Sequence, residues 1–283
     1  MGLQFGSSTV NPVYFGNTLA TAVYLGNDKV WPTEVAPLVT NGLILYFNFA
    51  ESTSYPGTGS SVFDLSGNNY TGTIISNGGT VTYNPTLKSM TFIHNGNLGG
   101  YVNYSTGASL VRTASSMSYC MLVRPTLIPF GNTGFRWACP ASIDNFNQGN
   151  TARKFTLYFY NPSNNTTVAN NFNADFFDGA GGSTSLNATS SNWLNQNLYI
   201  VATIESGTNN AKLYINGTLV ATQNGISINT NPSNLAAFAT ARFQTSFNGY
   251  LNGELYTQHV YNRVLSQAEV TQNYTFLQNQ FNL

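Results

Sequence analysis

The chain has 283 residues, enough for one large all-β domain with a short appendage. Hydrophobic residues make up 42% and aromatics 14%, but charged residues only 7%, with ten basic residues balancing ten acidic ones. This composition excludes disorder, which needs low hydrophobicity and high net charge, and it lacks the basic footprint of nucleic-acid binding or of a polybasic membrane patch. Scarce Lys and Glu argue against long exposed helices. No apolar run approaches the roughly 20 residues that span a bilayer. Neither nucleic acid nor membrane is therefore expected as a partner. Met1–Gly6 has no basic stretch and no apolar core, so no secretory signal is expected there.

The first 32 residues repeat every ten: Leu3/Val13/Val23, Phe5/Phe15/Leu25, Gly6/Gly16/Gly26 and Ser7/Asn17/Asn27. An alternating triplet followed by Gly and then Ser or Asn predicts a short strand entering a tight turn, because Gly and Asn tolerate positive φ. Strands this short cannot bury a core alone. Residues 1–32 are therefore read as an assembly or docking element, stable against copies of itself or a partner; a β-meander packed on the main domain is the alternative. Residues 33–41, with Pro37 and no periodicity, read as an extended linker.

The main domain is read as residues 42–283. It opens with Gly42–Phe49, apolar on both faces. Further strands are predicted at Ser89–Ile93, Met117–Val123, Lys154–Tyr160, Leu198–Ile204, Ala211–Ile215, Leu219–Thr222 and Leu251–Tyr261, a spacing typical of β-sandwiches. Asn216-Gly217 is the strongest hairpin signal, since a type I′ turn needs two residues at positive φ. Ser266 and Glu269 form a capping box, with Val270, Tyr274, Leu277 and Phe281 on one face of the helix that follows. The expected fold is all-β, with one C-terminal helix docked on the sandwich edge. Cys120 lies in an apolar strand and reads as a buried free thiol, although a bridge to Cys139 stays open.

Four segments together resemble the laminin-G-like, concanavalin A-like jelly-roll superfamily. They are Gly42–Phe49 with Asp64-Leu65-Ser66-Gly67-Asn68; Trp193 ahead of Leu198–Thr203; Lys212–Val220 with its Tyr-Ile-Asn-Gly hairpin; and Gly253–Leu255 through Tyr261-Asn262-Arg263 to Glu269. The resemblance implies a two-sheet jelly-roll β-sandwich over residues 42 to 270. The N-terminal decads resemble repeats at the starts of tailed-bacteriophage virion proteins, often ahead of laminin-G-like domains. That likeness implies a virion structural protein assembled in the host cytoplasm: a tail fibre, tail appendage or capsid decoration. Its partners would be other virion proteins through residues 1–32, and host surface glycans. A homotrimer is the expected oligomer. The rival readings are a free carbohydrate-binding lectin module and, third, a polysaccharide-degrading enzyme.

Retaining β-glucanases of this jelly roll place paired carboxylates on one strand face. Here the acidic residues are scattered, and the odd spacing of Asp175 and Asp178 puts them on opposite faces of a strand. His94 and His259 lack a recognisable nucleophilic partner, and His259 is expected on an exposed strand face. No catalytic residues are therefore assigned. Related domains hold Ca²⁺ with a loop Asp, backbone carbonyls and a closing-strand carboxylate. Asp64, Ser66 and Asn68 supply the first half. The closing-strand position is Tyr256, with Glu254 two residues away, so the alternative is that Asp64 only caps its own turn. Sugar binding needs aromatic platforms beside amides and hydroxyls. The stretch 130–147 has that composition, and Trp137, Phe135, Arg136, Asp144 and Asn145 are its candidate residues. Tyr101-Val102-Asn103-Tyr104 is similar in kind, although aromatics are more often core.

Overall fold

The computed structural model describes residues 35–95, 98–104, 113–127, 136–144, 153–161, 169–205, 210–230, 237–240, 242–243 and 249–283, together with four short strands before them. The chain divides into two compact units, Met1–Ala36 and Pro37–Leu283. In the first unit, β1 (Tyr14–Phe15) pairs antiparallel with β2 (Thr18–Leu19), and β3 (Val23–Leu25) with β4 (Asp28–Trp31). The second and third decads each fold back as a hairpin.

The second unit contains β5 (Leu43–Asn48), β6 (Ser61–Phe63), β7 (Thr71–Ile75), β8 (Thr80–Asn84), β9 (Ser89–Ile93), β10 (Tyr101–Asn103) and β11 (Met117–Leu127). These are followed by β12 (Arg136–Asp144), β13 (Arg153–Asn161), β14 (Asn171–Phe177), β15 (Ser183–Thr189), β16 (Leu198–Glu205), β17 (Asn210–Ile215) and β18 (Thr218–Gln223). Then come β19 (Ala237–Thr240), β20 (Arg242–Phe243), β21 (Gly249–Tyr250), β22 (Asn252–Tyr261) and the helix α1 (Gln267–Phe281). One sheet runs β15-β14-β13-β12-β19-β10-β7-β6, the other β18-β17-β16-β11-β22-β9-β8, with β5 also on β22. This is the expected all-β sandwich with one terminal helix.

Period-two side-chain alternation builds the core. In β13, Phe155, Leu157 and Phe159 face inward; in β11, Met117, Tyr119, Met121 and Val123 do so. They meet Phe172, Ala174 and Phe176 from β14 and Leu198, Ile200 and Ile204 from β16 in one cluster. The opposite faces of β11 and β16 are apolar as well: Cys120, Leu122, Tyr199 and Val201 join Val270 and Leu277 of α1 in a second cluster. β16 is therefore buried from Leu198 to Ile204. It is covered on both faces, as its unbroken apolar run requires. Helix α1 thus lies on the outer face of this sheet and not on its edge.

The turn and cap signals appear in detail. Asn216 and Gly217 adopt φ of 50° and 79°. The Glu269 amide donates to Ser266 Oγ at 3.3 Å, and the Ser266 amide to Glu269 Oε2 at 2.8 Å. Asn273 on α1 accepts from the Val39 amide and donates to the Tyr261 hydroxyl, which donates in turn to the Val39 carbonyl. Leu38 and Val39 are buried in this arrangement. No described helix is long and apolar enough to cross a membrane.

Candidate functional site

The outer face of β13–β15 is polar. Register sets Tyr158 opposite Asn173 and Asn173 opposite Asn187; one step along, Thr156, Asp175 and Ser185 line up. Directly paired residues share a face in an antiparallel sheet. A ladder of hydrogen bonds crosses the strands. The Tyr158 hydroxyl donates to Asp175 Oδ2 at 2.9 Å, Asn173 Nδ2 donates to the Tyr158 hydroxyl at 3.0 Å, and Asn187 donates to Asn173 Oδ1. Burial and the Asp175 charge push the Tyr158 hydroxyl pKa well above its ordinary value, so it remains a proton donor. Thr156, Tyr158 and Asn173 are buried and Asp175 is half-buried, so exposure begins at the sheet edge. On β15, Ser185, Asn187 and Thr189 are exposed while Leu186 and Ala188 are buried. Tyr160, half-buried, packs against Tyr158 at 5.7 Å between ring centroids. The result is a terrace whose inner part, Tyr158 and Asn173, is buried, and which reaches solvent at Ser185, Asn187 and Thr189 of β15, with Asp175 and Tyr160 half-buried.

Of the residues expected to bind sugar, Phe135 and Asn145 lie outside the described residues. Arg136, Trp137 and Asp144 fall on β12, where only their backbone is described, with Trp137 paired to Tyr160 and Asp144 to Arg153. The register therefore brings β12 alongside the terrace. Tyr101 and Tyr104 are buried. Tyr104 stacks on Phe47 at 4.9 Å, so it serves packing and not a surface platform. The terrace residues are not among the expected sites, although strand alternation marks them. Lys154–Tyr160 and Asn171–Phe176 alternate strictly, with Thr156, Tyr158, Asn173 and Asp175 on the polar phase.

Asp64 closes its own loop. Its Oδ1 accepts from the Tyr46 and Ser66 amides at 2.8 and 2.9 Å, and its Oδ2 from Ser66 Oγ at 2.7 Å and the Tyr70 amide at 3.4 Å. Asn68 Nδ2 donates to Ser66 Oγ and to the Ile44 carbonyl. A cation bound here would have to displace these donors, and the second carboxylate is elsewhere. Glu254 accepts from Ser89 at 2.6 Å and from Thr91, while the Tyr256 hydroxyl donates to Asn197. Among the described residues no group of three or more His, Cys, Asp or Glu is placed to hold a metal. The Asp64 loop as folded does not fit Ca²⁺ coordination.

His259 is fully buried, contrary to the exposed position expected of it. Alternation along β22 implied a solvent face, but α1 covers that face. His259 Nε2 lies 3.0 Å from the Tyr199 hydroxyl, and burial pushes the imidazole pKa down to about 3. Cys120, opposite it on β11, is a buried free thiol raised in pKa by burial. A neutral imidazole and a protonated thiol sealed under a helix support packing, not nucleophilic chemistry. The Cys139 side chain lies outside the described residues. Asp175 sits on the terrace, while Asp178 lies beyond the end of β14 and accepts from the Ala180 and Gly182 amides at 2.7 and 2.9 Å.

No curated protein matches the chain. Among solved structures it is similar to the binding domain of botulinum neurotoxin DC in complex with SialylT, at 14% identity and TM-score 0.59, covering 84% of this chain and 52% of that one. It is similar to a structure from work on the dependence of botulinum neurotoxin type C cell entry on two ganglioside molecules, at 14% identity and TM-score 0.59, with 85% and 52% covered. It is similar again to the botulinum neurotoxin type G receptor binding domain, at 16% identity and TM-score 0.55, with 84% and 52% covered. The chain spans about half the length of these structures, and at such identity the likeness is one of fold. A family profile described as the concanavalin A-like lectin/glucanases superfamily matches residues 95–271, more than half of the sequence. On that match and this sandwich, the chain belongs to the concanavalin A-like lectin/glucanase superfamily.

Proposed function

We propose that the protein is a bacteriophage virion structural component, a tail fibre, tail appendage or capsid decoration, whose lectin-like domain binds host surface glycans without catalysis. The observation that carries the binding half is the hydrogen-bonded terrace Tyr158–Asp175–Asn173–Asn187 on the outer sheet face. The buried part of the ladder fixes its solvent-facing end, so Asn187, Ser185 and Thr189 with the half-buried Asp175 meet sugar hydroxyls without a large ordering penalty, and Tyr160 offers an edge for sugar C–H groups. The exposed edge strand β15 gives a chain of sugars room to lie across it. Trp137, Arg136, Asp144, Phe135 and Asn145 are further proposed sugar contacts, on the ground that the β12 backbone runs beside β13 with Trp137 opposite Tyr160. Structures of similar fold include a botulinum neurotoxin DC binding domain in complex with SialylT and one from work on ganglioside-dependent entry of botulinum neurotoxin type C, which supports the same class of ligand here.

The virion half rests on the decads. Two-residue and three-residue strands make hairpins with little surface to bury, so their stability comes from a partner. Residues 1–32 dock into the particle, and the linker read over 33–41 acts as one only ahead of Pro37, since Leu38 and Val39 pack into the sandwich unit, which faces outward as a homotrimer. Light scattering on the full chain and on a chain beginning at Leu38, with immunogold microscopy of particles, tests this. The expected result is a trimer that becomes a monomer on truncation, with label on the virion. Two monomers and unlabelled particles would leave a free lectin module in its place.

A further inference from the structure

The end of the sandwich holds a second polar recess, separate from the terrace. β14 and β15 are joined by Asp178-Gly179-Ala180-Gly181-Gly182. Gly179 and Gly181 take φ of 80° and 109°, conformations that side-chain-bearing residues rarely adopt. The loop wraps the Asp178 carboxylate so that two amides donate to Oδ1. No described residue donates to Oδ2. A cleft of about 150 Å³ lies against this loop, lined by Asp178, Gly182, Ser183, Thr184, Gly225 and Ser227 together with Phe176. Ser227 is also a wall of a neighbouring cavity of about 240 Å³ that includes Ser115, Glu205 and Thr230. The far wall is fixed: Ile226 is buried, and the Asn229 amide donates to the Phe177 carbonyl at 2.6 Å.

We propose that this cleft binds the hydroxyls of one neutral sugar ring, with Asp178 Oδ2 as the charged acceptor and Ser183, Thr184 and Ser227 as its hydroxyl partners. The cleft is smaller than the roughly 300 Å³ at which pockets for drug-sized ligands begin, which suits a single ring or the end of a chain. Its carboxylate, with that of Glu205 in the adjoining cavity and no described Lys or Arg in either lining, disfavours sialylated or sulfated sugars. A single carboxylate whose other oxygen is held by two amides is a poor start for Ca²⁺, which takes six to eight oxygens. The inference borrows only the ligand class, glycans, from the proposed function; the residues are different.

Saturation-transfer NMR on the full chain in EDTA tests it, with methyl glucoside, methyl galactoside, methyl mannoside and N-acetylglucosamine as neutral probes and sialyllactose as the anionic one. The expected result is transfer to a neutral probe and an affinity lowered about tenfold or more by Asp178→Asn, the scale of a lost charged hydrogen bond. Gly182→Ala is expected to weaken the same probe, because a Cβ there would come within 2.5 Å of Asp178 Oδ2. Unchanged affinity in Asp178→Asn overturns the cleft. If binding survives that change but falls with Asp175→Asn, the terrace stands and the cleft does not. Binding of sialyllactose alone, or binding only when Ca²⁺ replaces EDTA, also overturns it.

Discussion

Tyr158 and Asp175 stand on neighbouring strands of the outer sheet face, and the tyrosine hydroxyl donates to the carboxylate at 2.9 Å. That single bond ties the aromatic part of the terrace to its charged part. The same hydroxyl accepts from Asn173, so one oxygen organises three side chains. Tyr158→Phe is expected to leave the buried Asn173 and the half-buried Asp175 each short of a bond and to cost about 1–3 kcal/mol of stability. Chemical denaturation of the two proteins measures this; an equal midpoint would remove the ladder's structural role.

His259 supplies a pH test. Its folded pKa, about 3, lies below the ordinary 6.5 because burial disfavours the charged form. The neutral form's contribution is complete above pH 6.5 and is lost progressively as pH falls toward 3. Unfolding free energy is expected to decline across that window, and His259→Phe is expected to flatten the decline. Urea denaturation at half-unit pH steps reads it directly.

Lys154 gives the opposite end of the scale. It is buried on β13, donates to the Ala114 carbonyl, and burial lowers its pKa to about 7 from 10.5. Between those values the unfolded chain holds more protons, so stability is expected to rise with pH from 7 to 10.5. Lys154→Met is expected to abolish that rise. Thermal melts at pH 7 and pH 9.5 on both proteins distinguish the two behaviours.

The Asp64 loop predicts sensitivity to mutation and indifference to metal. Four donors converge on its carboxylate. Asp64→Ala is expected to cost on the order of 2 kcal/mol or more, since hydrogen bonds to a charged group are among the stronger ones. EDTA is expected to leave the melting temperature of the parent protein unmoved. A downward shift with EDTA, reversed by Ca²⁺, would make the loop a cation site.

Helix α1 holds the outer face of the second sheet. Leu277 is fully buried against that sheet, so Leu277→Ala is expected to cost about 2–5 kcal/mol, against about 1 kcal/mol for loss of the cap in Ser266→Ala. Calorimetry that ranks the two in reverse order would contradict this packing.

Local features were legible in the residues themselves. Asn216-Gly217 specifies its turn because both residues must take positive φ, and Ser266 with Glu269 specifies where α1 begins. What stayed hidden depends on long-range placement. The burial of His259 requires knowing that α1 crosses β22, which no alternation pattern reveals. Likewise Tyr158, Asn173 and Asn187 are 15 and 14 residues apart in sequence and become one ladder only through strand register. Composition alone ranks the loops richest in aromatics and amides above the strand faces between them.

A glycan array probed with the full chain and with Asp175→Asn tests the central claim most directly. Retention of a defined set of glycans by the parent protein, and its loss in Asp175→Asn with the melting temperature preserved, is the predicted result. An array on which the parent protein retains nothing, or on which both proteins retain the same glycans equally, would contradict the terrace as a glycan-binding surface.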